Sequence, residues 1–145
     1  MSACTFFGHH DCPASIKPIL REVLAGLIEK DGVDMFYVGQ QGRYDAIVRS
    51  VLKELADTYP HINYAVVLER IPSQGTGYDA QNYSDTMLPE GIENINPRFA
   101  IPWRNKWMLK QSEYVVAYIK YSWGGAARYV EMAEKQKKKL IKIEE

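Results

Sequence analysis

Gln111–Glu131, QSEYVVAYIKYSWGGAARYVE, is the stretch from which the fold can be read. Tyr114-Val115-Val116-Ala117-Tyr118-Ile119 is a nearly continuous apolar run rich in β-branched and aromatic residues, the pattern of a strand in the middle of a parallel sheet. Behind it the chain turns small and polar at Tyr121-Ser122-Trp123-Gly124-Gly125, then takes up helical spacing through Ala126, Ala127, Val130 and Ala133. A strand feeding a glycine pair that opens a helix leaves unpaired backbone N–H groups, and the positive end of the helix dipole, at the carboxyl edge of the sheet. Gly124, Gly125 and Ala126 are therefore expected to present amides to a phosphate, with the hydroxyl of Ser122 beside them. A lone Gly-Gly pair more often marks an ordinary tight turn, so the weight of this reading comes from the rest of the chain.

Upstream, the same unit recurs. Ala3 to Phe7 reads as a first strand that stops at Gly8-His9-His10-Asp11, and Ile16, Ile19, Leu20, Val23, Leu24, Leu27 and Ile28 form the apolar stripe of a following helix, with Ser15 as its N-cap. Asp34 to Val38 is a second strand. Gly39-Gln40-Gln41-Gly42-Arg43-Tyr44-Asp45 then leads into a helix carrying Ile47, Val48, Val51, Leu52 and Leu55, and Asn63 to Leu68 is a third strand. Strands alternating with helices at this spacing predict an α/β fold with a parallel sheet, whose ligands sit beyond the carboxyl ends of the strands. The glycines at 8, at 39 and 42, and at 124 and 125 all fall at that edge.

Between Arg70 and Pro97 the periodicity fails, which predicts a long loop or lid. Its Tyr78, Tyr83, Asp79, Asp85 and Glu90 suit a ribose or a base better than a phosphate. Trp103 to Lys110 reads as a short helix with Trp103, Trp107 and Met108 on its buried side, and Leu140 to Ile143 as a last strand after the basic run Lys135 to Lys139. Residues 1–145 are expected to form one domain. Positive and negative side chains balance at 18 each. No uniform field therefore attracts a nucleic acid or an anionic membrane. Two cysteines make neither a disulfide framework nor a zinc knuckle, and no secretion signal or membrane-spanning stretch is evident, so a cytoplasmic protein with a small-molecule partner is expected.

Individual side chains sharpen the site. His9-His10-Asp11-Cys12 offers metal-ligating types, but four adjacent residues cannot all face one ion, so neither a metal nor another cofactor is expected. His9 is better placed to hydrogen-bond a ligand's phosphate or sugar. Asp45 caps its helix or accepts from a ribose hydroxyl. Arg98 and Arg104 bring charge ahead of the fourth strand, and a guanidinium can grip phosphate through two parallel N–H bonds. Ser122, His9 and Asp45 could be drawn as a hydrolase triad, but Ser122 lacks the Gly-x-Ser-x-Gly elbow.

Taken as a set, Cys4-Thr5-Phe6-Phe7-Gly8-His9, Phe36-Tyr37-Val38-Gly39-x-x-Gly42 with Asp45, Pro89-Glu90-Gly91-Ile92-Glu93, Arg104-Asn105-x-x-Met108, Ser112-Glu113 and Gly124-Gly125-Ala126 resemble bacterial and phage SLOG-superfamily proteins of unassigned function. The resemblance implies a Rossmann-like three-layer sandwich, related to the Lonely Guy phosphoribohydrolases, the molybdenum-cofactor carrier proteins and DNA-processing protein A. It implies binding of a nucleotide or nucleotide-derived signal, as a sensor or a sequestering protein. Many relatives carry an arginine where this chain has His10. Against the Lonely Guy motifs, Arg104 and Met108 match one segment with Asn105 in place of its lysine, and Gly124, Gly125 and Glu131 match the other, with Trp123, Ala127 and Arg128 in place of its proline, glycine and threonine. The alternative function is thus cleavage of the N-glycosidic bond of a nucleoside monophosphate, with Arg104 and Glu131 as catalytic residues. A protein-interaction module is the third, and a homodimer is an arrangement the resemblance allows.

Overall fold

The computed structural model describes residues 2–70 and 85–144. Six strands form one sheet: β1 (Ser2–Gly8), β2 (Val33–Val38), β3 (Asn63–Val67), β4 (Thr86–Met87), β5 (Tyr114–Tyr118) and β6 (Lys139–Lys142). Their order is β4-β3-β2-β1-β5-β6, and every neighbouring pair is parallel. Helices α1 (Lys17–Lys30), α2 (Gly42–Thr58), α3 (Ala100–Gln111) and α4 (Gly125–Lys135) make the crossovers. The chain is an α/β Rossmann-like fold.

Strand alternation sorts the side chains into two cores. Cys4 and Phe6 of β1, Phe36 and Val38 of β2, and Tyr114, Val116 and Tyr118 of β5 pack against the stripes of α1 and α2. Phe7, Val67, Val115 and Ala117 point the other way, onto Met108 and Leu109 of α3 and Tyr129, Val130 and Ala133 of α4. Because β5 is covered on both faces, all five of its residues are buried, which is why its sequence shows no polar alternation.

The order of the strands positions the site. From β1 the chain winds outward through β2, β3 and β4, then returns to lay β5 on the opposite side of β1, pairing Gly8 with Tyr118 at their carboxyl ends. Connections thus leave β1 and β5 in opposite directions and open a crevice between them.

Several boundaries depart from the sequence reading. A 3-10 turn, Ala14–Ile16, precedes α1, so the N-cap is Ile16 rather than Ser15 and no side chain caps it. The segment expected as an unbroken loop contributes β4, which extends the sheet through bonds from Leu68 N to Met87 O at 2.9 Å and Val66 N to Asp85 O at 2.9 Å. Tyr78, Asp79 and Tyr83 lie outside the described residues. In α3 the buried face carries Arg104 and Met108, while Trp103 and Trp107 are only half-buried. No helix among the described residues is long and apolar enough to cross a membrane.

Candidate functional site

Beyond the carboxyl ends of the strands lies a cleft of about 330 Å³, lined by Phe7 and Gly8 of β1, His10, Gln41 and Asp45 around the start of α2, Arg104 and Asn105 of α3, and Gly125, Ala126, Arg128 and Tyr129 of α4. Five of the residues singled out in the sequence, Gly8, Asp45, Arg104, Gly125 and Ala126, share it.

Two glycines allow the walls to close up. A Cβ on Gly8 would fall well inside van der Waals contact of the Tyr44 ring. That ring is buried and held by its hydroxyl, which donates to Val116 O at 2.8 Å. A Cβ on Gly42 would stand 2.6 Å from Cγ of His10, and its φ of 80° belongs to the left-handed region. This packing brings the turn before α2 against the end of β1, where Arg43 N donates to His10 O at 3.1 Å.

Asp45 reaches back to accept from Gln41 N at 2.9 Å, capping the start of α2. Burial pushes its carboxyl up to about 6; the Gln41 bond and then the Arg104 charge oppose that rise. Arg104 is 1% exposed. Its Nη1 donates to Val67 O at 3.0 Å and faces Glu69 Oε2 at 3.5 Å, and its Nε donates to Asn105 Oδ1 at 3.0 Å. Burial pulls the guanidinium below its ordinary value, and Glu69 leads the groups that oppose this. These bonds use Nε and Nη1, and Asp45 adds a second negative charge near the guanidinium at the cleft wall. Gly39 sits beneath both charges. A Cβ there would stand 3.0 Å from Asp45 Oδ2 and 3.2 Å from Arg104 Cζ.

Just before the cleft residues Gly125 and Ala126, Gly124 holds φ 97° and ψ 174°, and α4 starts without a side-chain cap. The N–H groups of Gly125, Ala126 and Ala127 precede the first intrahelical bond, Arg128 N to Gly124 O at 3.2 Å, so their donors have no partner within the helix.

Other sequence candidates lie outside the cleft lining. His9 is buried and its Nε2 accepts from Tyr121 N at 3.0 Å, tying the end of β1 to the loop after β5. Ser122 is exposed, next to Trp123, which stacks on Tyr121 with ring centroids 4.7 Å apart. Arg98 is exposed with its guanidinium over the Phe99 ring at 5.6 Å. Glu131 is exposed and pairs with Lys135 at 3.6 Å. Among the described residues no group of three or more His, Cys, Asp or Glu side chains is arranged to hold a metal ion.

Sequence reasoning passed over Gln41 as a lining residue and reached His10 and Arg128 only through the family resemblance. Arg128 stands three residues beyond Gly125, one turn along the same helix face, and that spacing was a usable signal. Gln41 carried none beyond its place between two glycines.

No protein-family model and no curated protein matches the sequence. The fold is similar to that in the X-ray structure of DNA processing protein A (DprA) from Streptococcus pneumoniae, with a TM-score of 0.68 and 13% sequence identity over 98% of this chain and 50% of that one. The chain therefore spans about half the length of that protein, and at this identity what the two share is the Rossmann-like fold.

Proposed function

We propose that the protein binds a nucleotide or a nucleotide-derived small molecule in this cleft, as a sensor or a sequestering protein of the SLOG kind. The observation that carries the reading is the meeting of three independent features in one crevice at the switch of strand order: the uncapped start of α4, the buried Arg104 guanidinium, and the Asp45 carboxylate. Amide donors and a guanidinium suit a phosphate, and a carboxylate in the same cleft suits a ribose hydroxyl. A cleft of about 330 Å³ is within the usual range of about 300–1,000 Å³ for small-molecule sites.

Glycosidic cleavage receives less support. Glu131 is exposed and engaged by Lys135, so Asp45 is the carboxylate available in the cleft.

Calorimetric titration with nucleoside monophosphates tests the reading. Binding to a single site is expected, and ligand at about one hundred times its Kd should raise folding stability by about 2.7 kcal/mol. Absence of heat and of any thermal shift across the panel would overturn it. Incubation of the same mixtures is expected to release no free base on chromatography.

A further inference from the structure

A second cavity, about 550 Å³, adjoins the cleft and has a different chemistry. Among the described residues, Leu88, Ile92, Ile95 and Ile101 give it apolar walls, and Glu69, Glu93, Arg70 and Gln41 supply polar groups. Gln41 and Ile101 line both spaces. The partition between them is an ion pair: Arg104 faces the cleft, and Glu69, which holds Arg104 Nη1 at 3.5 Å, faces the chamber. One ligand reaching past Gln41 can therefore place an anionic end among amides and a guanidinium and a flat apolar body among isoleucines.

We propose that this chamber is the base subsite of the ligand, and that it selects a base bearing an exocyclic amino group; the inference rests on the nucleotide-binding reading above. Isoleucine and leucine side chains cover the faces of a ring, which gains from leaving water. Two carboxylates in the lining can only accept. They match the N–H donors of adenine, guanine or cytosine, whereas the carbonyl that uracil presents in place of an amino group would set lone pairs against lone pairs. Arg70 and Gln41 supply donors for ring nitrogens and carbonyls elsewhere on the base edge.

The test is calorimetric titration of the full chain with AMP, GMP, CMP, UMP and ribose 5-phosphate at one ionic strength. Ribose 5-phosphate is expected to bind, the three amino-bearing nucleotides to bind at least tenfold tighter, and UMP to fall about tenfold short of CMP. Ile95→Trp, which fills the chamber, should remove the gain over ribose 5-phosphate while leaving the affinity for ribose 5-phosphate itself in place. Glu93 is exposed, and Glu93→Gln should narrow the gap between CMP and UMP without disturbing the fold. If ribose 5-phosphate binds and the nucleotides bind no tighter, the base subsite is wrong while nucleotide-phosphate binding stands. UMP binding as tightly as CMP would overturn the amino-group selection. If neither the sugar phosphate nor any nucleotide binds, the proposed function itself falls, and this inference with it. Should Ile95→Trp fail to fold, the CMP-to-UMP ratio in Glu93→Gln decides.

Discussion

Asp45 and Arg104 are buried charges with unequal support. Arg104 has a carbonyl, a carboxylate and an amide oxygen, whereas Asp45 has one backbone donor and a nearby cation. The Asp45 carboxyl, raised to about 6 in the folded chain, returns to about 4 on unfolding. The folded state therefore holds a proton that the unfolded state has released. Its contribution to stability is complete below about pH 4 and is lost as pH rises through about 6. At about 1.4 kcal/mol per unit, that loss approaches about 3 kcal/mol. Asp45→Asn keeps an acceptor for Gln41 N and cannot ionise, so urea midpoints should show it gaining on the native protein between pH 4 and pH 7. Equal pH dependence in the two would contradict the burial argument. Gly8 makes a steric prediction at the same scale. Gly8→Ala drives a methyl into the pinned Tyr44 ring and should cost about 1–3 kcal/mol in denaturant titration, whereas Gly125→Ala meets open space and should leave stability nearly unchanged.

At the scale of elements, the start of α4 is where local sequence and site chemistry coincide. Gly124 needs its positive φ, so Gly124→Ala should lower the melting temperature. Gly125 is the first helical residue, a position that tolerates proline because its N–H lacks an intrahelical partner. Gly125→Pro should therefore fold normally yet bind a nucleoside monophosphate about tenfold more weakly, since it deletes one charge-assisted donor worth about 1.5–3 kcal/mol. Unchanged affinity in a folded Gly125→Pro protein would separate the helix start from the anion. This element could be read from sequence because a buried strand, a glycine pair and a helical stripe are all local patterns. The register of α3 could not. Trp103 and Trp107 looked like core, but a large amphipathic ring is as well served half-buried, and the residue that goes fully inside is Arg104. Its partners, Val67 and Glu69, lie 37 and 35 residues away, so nothing near it in the chain announces that its charge will be met. His9 follows the same logic, because its acceptor role depends on Tyr121 N across the switch point.

For the whole molecule, alternating strand and helix spacing was enough to reach a parallel sheet flanked by helices, and the order of its strands explains why distant glycines meet. Two-residue β4 was beyond that reading, since two residues carry no periodicity. Stability should follow the same geometry. Amides of β1 and β5, each paired on both sides, are expected to exchange with solvent only on global unfolding, and those of Thr86 and Met87 by local opening; hydrogen exchange followed by NMR would check this ranking. The lateral margins of the sheet have a consequence of their own. One margin is a strand only two residues long, and the other, β6, bears exposed lysines at both ends, Lys139 and Lys142. Short edges and edge lysines both discourage a foreign strand from docking. Among the described residues, a sheet built wholly of side-by-side parallel strands thereby offers no runway for further strands, which guards a concentrated solution of this protein against fibrous growth.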